Sequence, residues 1–130
     1  MSEVLFETPR LRARRWRPDD FDALLAVYGD AEVVRWVADG QPLTPERVRE
    51  WMAITEDNYR TRGYGMVALE DRASGAVVGF CGLVHPGGQA EPEIKYAFLR
   101  THWGRGLASE VAPALLNHGA RCHGLARIIA

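Results

Sequence analysis

Two glycines ahead of an apolar, helix-spaced run are the part of this sequence best suited to chemistry. In Trp103-Gly-Arg-Gly-Leu-Ala108, Gly104 and Gly106 follow an apolar, β-prone stretch from Glu93 to Leu99 and precede Ala108, Val111, Leu115 and Cys122 on one helical face. The pattern reads as strand, tight turn, helix. Glycines at such a turn allow φ > 0 and let a ligand come close to the backbone. The first N–H groups of the helix have no intrahelical partner, and its dipole favours an anion there. Trp103 to Ala108 is therefore a candidate pyrophosphate cradle, although a plain tight turn would use the same glycines. It is neither the phosphate loop of NTPases nor the dinucleotide fingerprint: no Gly-Lys-Ser/Thr follows, and Ser109 stands where G-x-G-x-x-G requires its third glycine. His102 has an ordinary pKa suited to proton transfer but sits just before this turn. His118 and His123 flank a helix end, no Cys/His pair has zinc-ligand spacing, and no metal is expected.

The elements that must position this turn are legible on either side of it. Glu7 to Trp16 alternates apolar with basic through Leu11 and Ala13 and reads as a first strand, its arginines (Arg10, Arg12, Arg14, Arg15, Arg17) forming a solvated face. Pro18-Asp-Asp20 starts a helix with Phe21, Leu24, Leu25 and Tyr28 on one face, and Ala31 to Trp36 reads as a short continuation. Thr44-Pro45-Glu46 starts another, through a hydroxyl N-cap and proline at the first helical position. Val48, Trp51, Thr55 and Tyr59 line its face, and Gly63 ends it. Tyr64 to Glu70 and Ala76 to Leu83 form a hairpin across Asp71 to Gly75. Leu125 to Ala130 begins one more strand, so the expected order is β-α-α-β-β-β-α-β. Within the last helix, Pro113 is expected to remove a backbone bond and introduce a kink, and Gly119 to weaken it by ~1 kcal/mol relative to alanine.

Composition bounds the reading. The chain has 130 residues, 47% hydrophobic and 25% charged, with net charge −1, which suits one globular domain over 1–130. A charge so near zero gives no reason to expect nucleic-acid binding. No apolar run approaches the ~20 residues of a membrane span, and no secretory signal is visible. Cys81 and Cys122, in a strand and a helix, read as two buried free thiols and point to a cytoplasmic setting.

Glu93-Ile-Lys-Tyr96 followed by Trp103-Gly-Arg-Gly-Leu-Ala108 resembles the acyl-CoA motif of the GNAT superfamily of N-acyltransferases. Within it the chain is similar to the RimJ/RimL branch, which acetylates ribosomal-protein N-termini and other amines. The superfamily signature is Gln/Arg-x-x-Gly-x-Gly/Ala. Gly106 and Ala108 match its last two fixed positions, while Trp103 departs at the first. Thr8-Pro-Arg-Leu11, Asp30-Ala-Glu-Val33, Thr44-Pro-Glu46 and Gly79-Phe-Cys-Gly-Leu83 also look like this branch.

The resemblance implies an α/β (α+β) fold with a mostly antiparallel central sheet flanked by helices. It implies acetyl-CoA as co-substrate and no metal. An amine, such as a ribosomal or other protein N-terminus or a small molecule, would attack the thioester directly in a ternary complex. Carried onto this sequence, the backbone of Phe98 and Leu99 would pair with the pantetheine amides. Trp103, Gly104, Arg105, Gly106, Leu107 and Ala108 would hold the pyrophosphate, with Arg105 adding charge or simply being solvated. Glu93 would accept the amine proton, commonly through water, with Glu91 a substitute in the loop and His102 too far from the thioester. Trp36, Trp51 and Tyr59 would wall the acceptor pocket or pack into the core.

Family members continue beyond the equivalent of Ala130 with an Asn-x-x-Ser segment, a helix and two closing strands, which often supply the general acid. The resemblance therefore implies a chain truncated at its C-terminal side. Residues 1–130 alone are expected to be catalytically incompetent and to aggregate, dimerise through the open sheet edge, or belong to a longer chain. A non-catalytic acyl-CoA-binding or degenerate GNAT-like module is the competing reading.

Overall fold

The computed structural model describes residues 3–35 and 40–129. Five strands form one sheet in sequence order, every neighbour antiparallel: β1 (Val4–Glu7), β2 (Leu11–Arg15), β3 (Met66–Asp71), β4 (Val77–Val84) and β5 (Glu93–Phe98). Between β2 and β3 lie α1 (Phe21–Tyr28), α2 (Ala31–Val34) and α3 (Pro45–Arg62), and after β5 comes α4 (Leu107–His123). The antiparallel sheet flanked by helices agrees with the expected fold class.

Strand alternation divides the core into two layers. On β3, Val67 and Leu69 face a cluster with Leu11, Ala13, Phe98, Leu107, Val111 and Leu115, which is the α4 side. Met66 and Ala68 face the opposite way, with Phe80 and Ala97, onto Leu24, Val27, Val34 and Val48 of α1, α2 and α3. The starting signals of α3 behave as their chemistry dictates. Thr44 Oγ1 accepts from the Arg47 N–H at 3.3 Å, Pro45 opens the first turn, and Gly63 closes the helix at φ 83°.

Several expectations are corrected. The single first strand is in fact a hairpin, β1–β2, because Pro9 has no N–H for a ladder and the chain turns there. Thr8 N donates to Leu11 O at 2.9 Å. The arginines do not form one solvated face either. Arg14 is 4% exposed, with both guanidinium nitrogens on Asp20 (2.8 and 2.9 Å) and Nε on Glu70 (2.6 Å). A bidentate carboxylate partner from the turn before α1 and a second from β3 make this buried charge tolerable. Helix α4 runs unbroken through Pro113, which lies exposed on its outer face. Cys122 is exposed rather than buried, whereas Cys81 is buried. Gly119 takes the buried place on the α4 face. A Cβ there would stand 2.7 Å from Leu83 Cδ1, so this glycine permits close packing that outweighs its low helix propensity. Residues 125–128 carry no strand, and among the described residues the segment meets the sheet only at Ile129, in a parallel bridge to Glu93, leaving the rest of the β5 edge without a partner strand.

The glycines of β4 are required by how closely its neighbours approach. A Cβ on Gly82 would lie 2.5 Å from Met66 Cα and 2.6 Å from the Gly65 carbonyl oxygen, both backbone atoms that cannot swing aside. Gly82→Ala should therefore destabilise the fold by about 1–3 kcal/mol, the usual scale of core overpacking. A denaturant midpoint unchanged from wild type would contradict this packing.

Candidate active site

Strand β5 and helix α4 meet around the glycine turn, and the turn's conformation creates the site. After β5 the chain makes one 3-10 turn (Arg100–His102), then places Gly104 at φ 75° and Gly106 at φ 76°, a left-handed conformation that side-chain-bearing residues adopt at a cost. Glu110 N–H is the first in the helix to bond back, to Gly106 O at 3.0 Å. The N–H groups of Leu107, Ala108 and Ser109 precede it, in the first turn, where no intrahelical acceptor exists. A cleft of about 290 Å³ opens here, lined by Phe98, Trp103, Gly104, Gly106, Leu107 and Ala108 together with Val33, Tyr96, Ala97, His102 and Ser109. None of these is acidic, so the helix dipole faces an anion-compatible space.

The open edge of β5 leads into this cleft. Leu99 N donates to Val78 O at 2.9 Å, toward β4, whereas Ile94 N donates outward, to Ile129 O at 2.9 Å. Backbone direction alternates along a strand, so the amides of Tyr96 and Phe98 also point outward. Of the two residues whose backbone is expected to pair with pantetheine, Phe98 turns its N–H to the open edge beside that of Tyr96, while the Leu99 N–H is bonded into the sheet. Trp103 Nε1 donates to Phe98 O at 3.0 Å, tying the turn to the strand end. This gives a structural role to the residue that departs from the family signature.

A second cleft of about 440 Å³ lies on the α3 side and shares Tyr96 with the first. Tyr28, Leu43, Trp51, Ile54 and Met66 give it apolar walls, with Arg47, Glu50 and Lys95 at charged positions. Trp51 thus lies where an acceptor wall was expected. Tyr59 lines a different groove and donates its hydroxyl to Met66 O at 3.0 Å, while Trp36 falls outside the described residues. His85 also lines the second cleft. Its Nδ1 lies 2.9 Å from Gln89 O, which only a donor can satisfy, and its Nε2 lies 2.6 Å from the Tyr64 hydroxyl. Its place in a loop carried no motif, and sequence reasoning passed over it.

Glu93 stands at the start of β5 and lines neither cleft. Its carboxylate is held 2.6 Å from Lys95 Nζ, and that lysine lines the second. The Lys95 ammonium holds the Glu93 carboxyl below the usual carboxylate range, against a smaller opposing push from burial. Glu93 is thus ionised at neutral pH and can accept a proton, but weakly. Glu91 pairs with Arg127 at 2.9 Å, and His102 Nε2 lies 4.0 Å from Asp71 Oδ2. Among the described residues no group of His, Cys, Asp and Glu side chains could hold a metal ion, and no helix is long and apolar enough to cross a membrane.

A five-stranded antiparallel sheet flanked by helices, with a glycine turn joining its last strand to a helix N-terminus, matches the fold of solved GNAT-family acetyltransferases. The acetyltransferase (GNAT) domain family matches residues 10–130, and the chain belongs to that family. It is 31% identical to the protein YkkB of Bacillus subtilis (strain 168) over 115 residues, covering 86% of this chain and 66% of YkkB, just under two thirds of that relative's length. A Bordetella pertussis protein assigned to the GNAT acetyltransferases superposes with TM-score 0.76 at 29% identity, over 95% of this chain and 75% of the other. RimL, a ribosomal-protein α-N-acetyltransferase solved in complex with coenzyme A, shares the fold with TM-score 0.77 at 20% identity, over 97% and 72% of the two chains.

The Glu93–Lys95 pair yields a measurable consequence. In Lys95→Met the ammonium is gone and the Glu93 titration midpoint should move up toward the ordinary carboxylate range, read by carboxyl NMR. An unmoved midpoint would show that another group depresses it.

Proposed function

We propose that this chain binds acetyl-CoA and transfers its acetyl group to a primary amine. The observation that carries the reading is the continuity of the open β5 edge with the unpartnered first turn of α4 in one cleft free of carboxylates. The donor needs the same things in the same order: hydrogen-bond partners for its pantetheine amides, which the Tyr96 and Phe98 backbone offers, then N–H groups for its pyrophosphate, which the Gly106–Ser109 turn offers. The acetyl-CoA groups fit the donor set present.

In this reading the amine enters from the second cleft and reaches the thioester near Tyr96, where the clefts join. Its nitrogen attacks the thioester carbonyl, a C–N bond forms and the C–S bond breaks. The amine loses a proton through water to Glu93, and the sulfur leaves as the CoA thiolate that takes up a proton. A protein N-terminus is the acceptor suggested by the name of RimL, and the apolar walls with Trp51 suit an amine bearing a bulky apolar group equally. The exposed thiol of Cys122 suits a reducing cytoplasm.

The Glu93–Lys95 ion pair favours a second reading, a module that binds acyl-CoA without turnover, since a carboxylate so neutralised is a poor base. Binding and turnover separate the two. By calorimetry CoA should bind the wild-type chain and not Gly106→Glu, which adds bulk and negative charge at a left-handed glycine of the cradle; equal affinity in the two would remove the cradle from the reading. Where turnover is measurable, Glu93→Gln should lower it by roughly 10²-fold with little change in CoA affinity. An unaltered pH–rate profile in that variant would assign the base elsewhere.

A further inference from the structure

The glycine turn is held from outside by the tip of the β1–β2 hairpin, a part of the chain remote in sequence. Arg10 Nη1 donates to the Arg105 carbonyl at 2.7 Å, and its Nε donates to Glu110 Oε1 at 2.7 Å. The other carboxylate oxygen, Oε2, accepts from Arg10 N at 2.9 Å and from the Thr8 hydroxyl at 2.5 Å. Arg10 Nη2 has no hydrogen-bond partner among the described residues and lies 3.7 Å from where a Cβ on Gly106 would stand. The hairpin tip is itself anchored: Arg72 Nη1 donates to Thr8 O at 2.8 Å, and Arg72 N to Arg10 O at 2.9 Å.

We propose that Arg10 is a positioning residue for pyrophosphate binding, fixing the glycine turn and screening the Glu110 carboxylate. Two physical steps lead there, and both rest on the donor-binding reading above. First, a trans peptide is planar with its C=O and N–H opposed. Holding the Arg105 carbonyl toward the hairpin therefore turns the Gly106 N–H the other way, and Gly106 lines the cleft. Second, Glu110 lies in the first turn of α4, where an anion stabilises the helix, but its charge would also repel a phosphate seeking the same N–H groups. Burial pushes its carboxyl up, yet the Thr8 hydroxyl, the Arg10 amide and the Arg10 guanidinium together hold it below the usual range, so the charge is present and must be screened. Arg10 supplies that screening with a cation.

The test compares CoA with pantetheine, which lacks the pyrophosphate, by calorimetry on the whole chain. Arg10→Met keeps the apolar stem and removes the fork. It should weaken CoA roughly tenfold while leaving pantetheine affinity and the melting temperature near wild type. Adding Glu110→Gln to it removes the unscreened charge and should recover several-fold of the lost CoA affinity. Arg10→Lys keeps charge without the bidentate reach and should fall between. CoA affinity unchanged in Arg10→Met, or CoA and pantetheine weakened alike, would overturn the inference. A wild-type chain that binds neither would instead refute the donor-binding reading, and this inference with it.

Discussion

The N–H groups that open α4 have no helical acceptor, and much of the chain is arranged so that they stay accessible. Left-handed glycines bring the backbone out of β5 and into the helix within a few residues, which keeps the strand's open edge and the helix terminus on one cleft. On the inner side, Leu107, Val111 and Leu115 bury α4 against the sheet, so the helix cannot rotate its first turn away. On the outer side, the Arg10 and Trp103 contacts fix the turn from its two flanks. A cradle made of backbone needs such supports, because no side chain within it can be repositioned to compensate for a shifted peptide plane.

Support from a distant hairpin explains why the arginine-rich stretch near the N-terminus does more than face solvent. Arg10 and Arg14 both lie in the stretch that alternation reads as one strand, but their partners come from other elements: Glu110 of α4 for the first, Asp20 and Glu70 for the second. The first pair sits at the site and is half open to water. The second is buried, and Asp20 also accepts the Arg17 N–H at 2.8 Å, which joins the end of β2 to the start of α1. Removing one partner there would leave a buried charge, a larger penalty than losing an exposed pair.

What could be read in the sequence was what local chemistry decides. Thr44, Pro45 and Gly63 bracket α3 through contacts within a few residues, and the β5–turn–α4 passage announces itself by a change of hydrophobic period at two glycines. The hidden parts depend on contacts across the chain. The division of the first strand needed the turn chemistry of Pro9 to be weighed above alternation. Gly119, not Cys122, continues the buried row of α4, because Leu83 of β4 stands where a Cβ would go and Ile128 and Leu125 close in beside it. Pro113 falls on the outer face, where a helix curving around its core can lose one bond without ending. In the site, the glycine spacing and the β-prone run marked the turn and the strand, but which N–H groups of β5 face outward depended on the register with β4, which turns those of Tyr96 and Phe98 to the edge and that of Leu99 to Val78.

The same register governs how donor and acceptor could meet. Backbone groups of Tyr96 and Phe98 face the open edge, while side chains at odd positions such as Lys95 and Ala97 face the α1–α3 layer. One short strand therefore presents hydrogen-bonding backbone toward a donor and side chains toward an acceptor, and the two clefts touch at Tyr96, between those roles. Charge is sorted along it as well. The cradle cleft has no acidic lining, whereas the second cleft carries one carboxylate, Glu50, together with Arg47 and Lys95. An anionic donor would favour the cradle end of β5, and an amine beside Lys95 would meet a local field that disfavours a second positive charge.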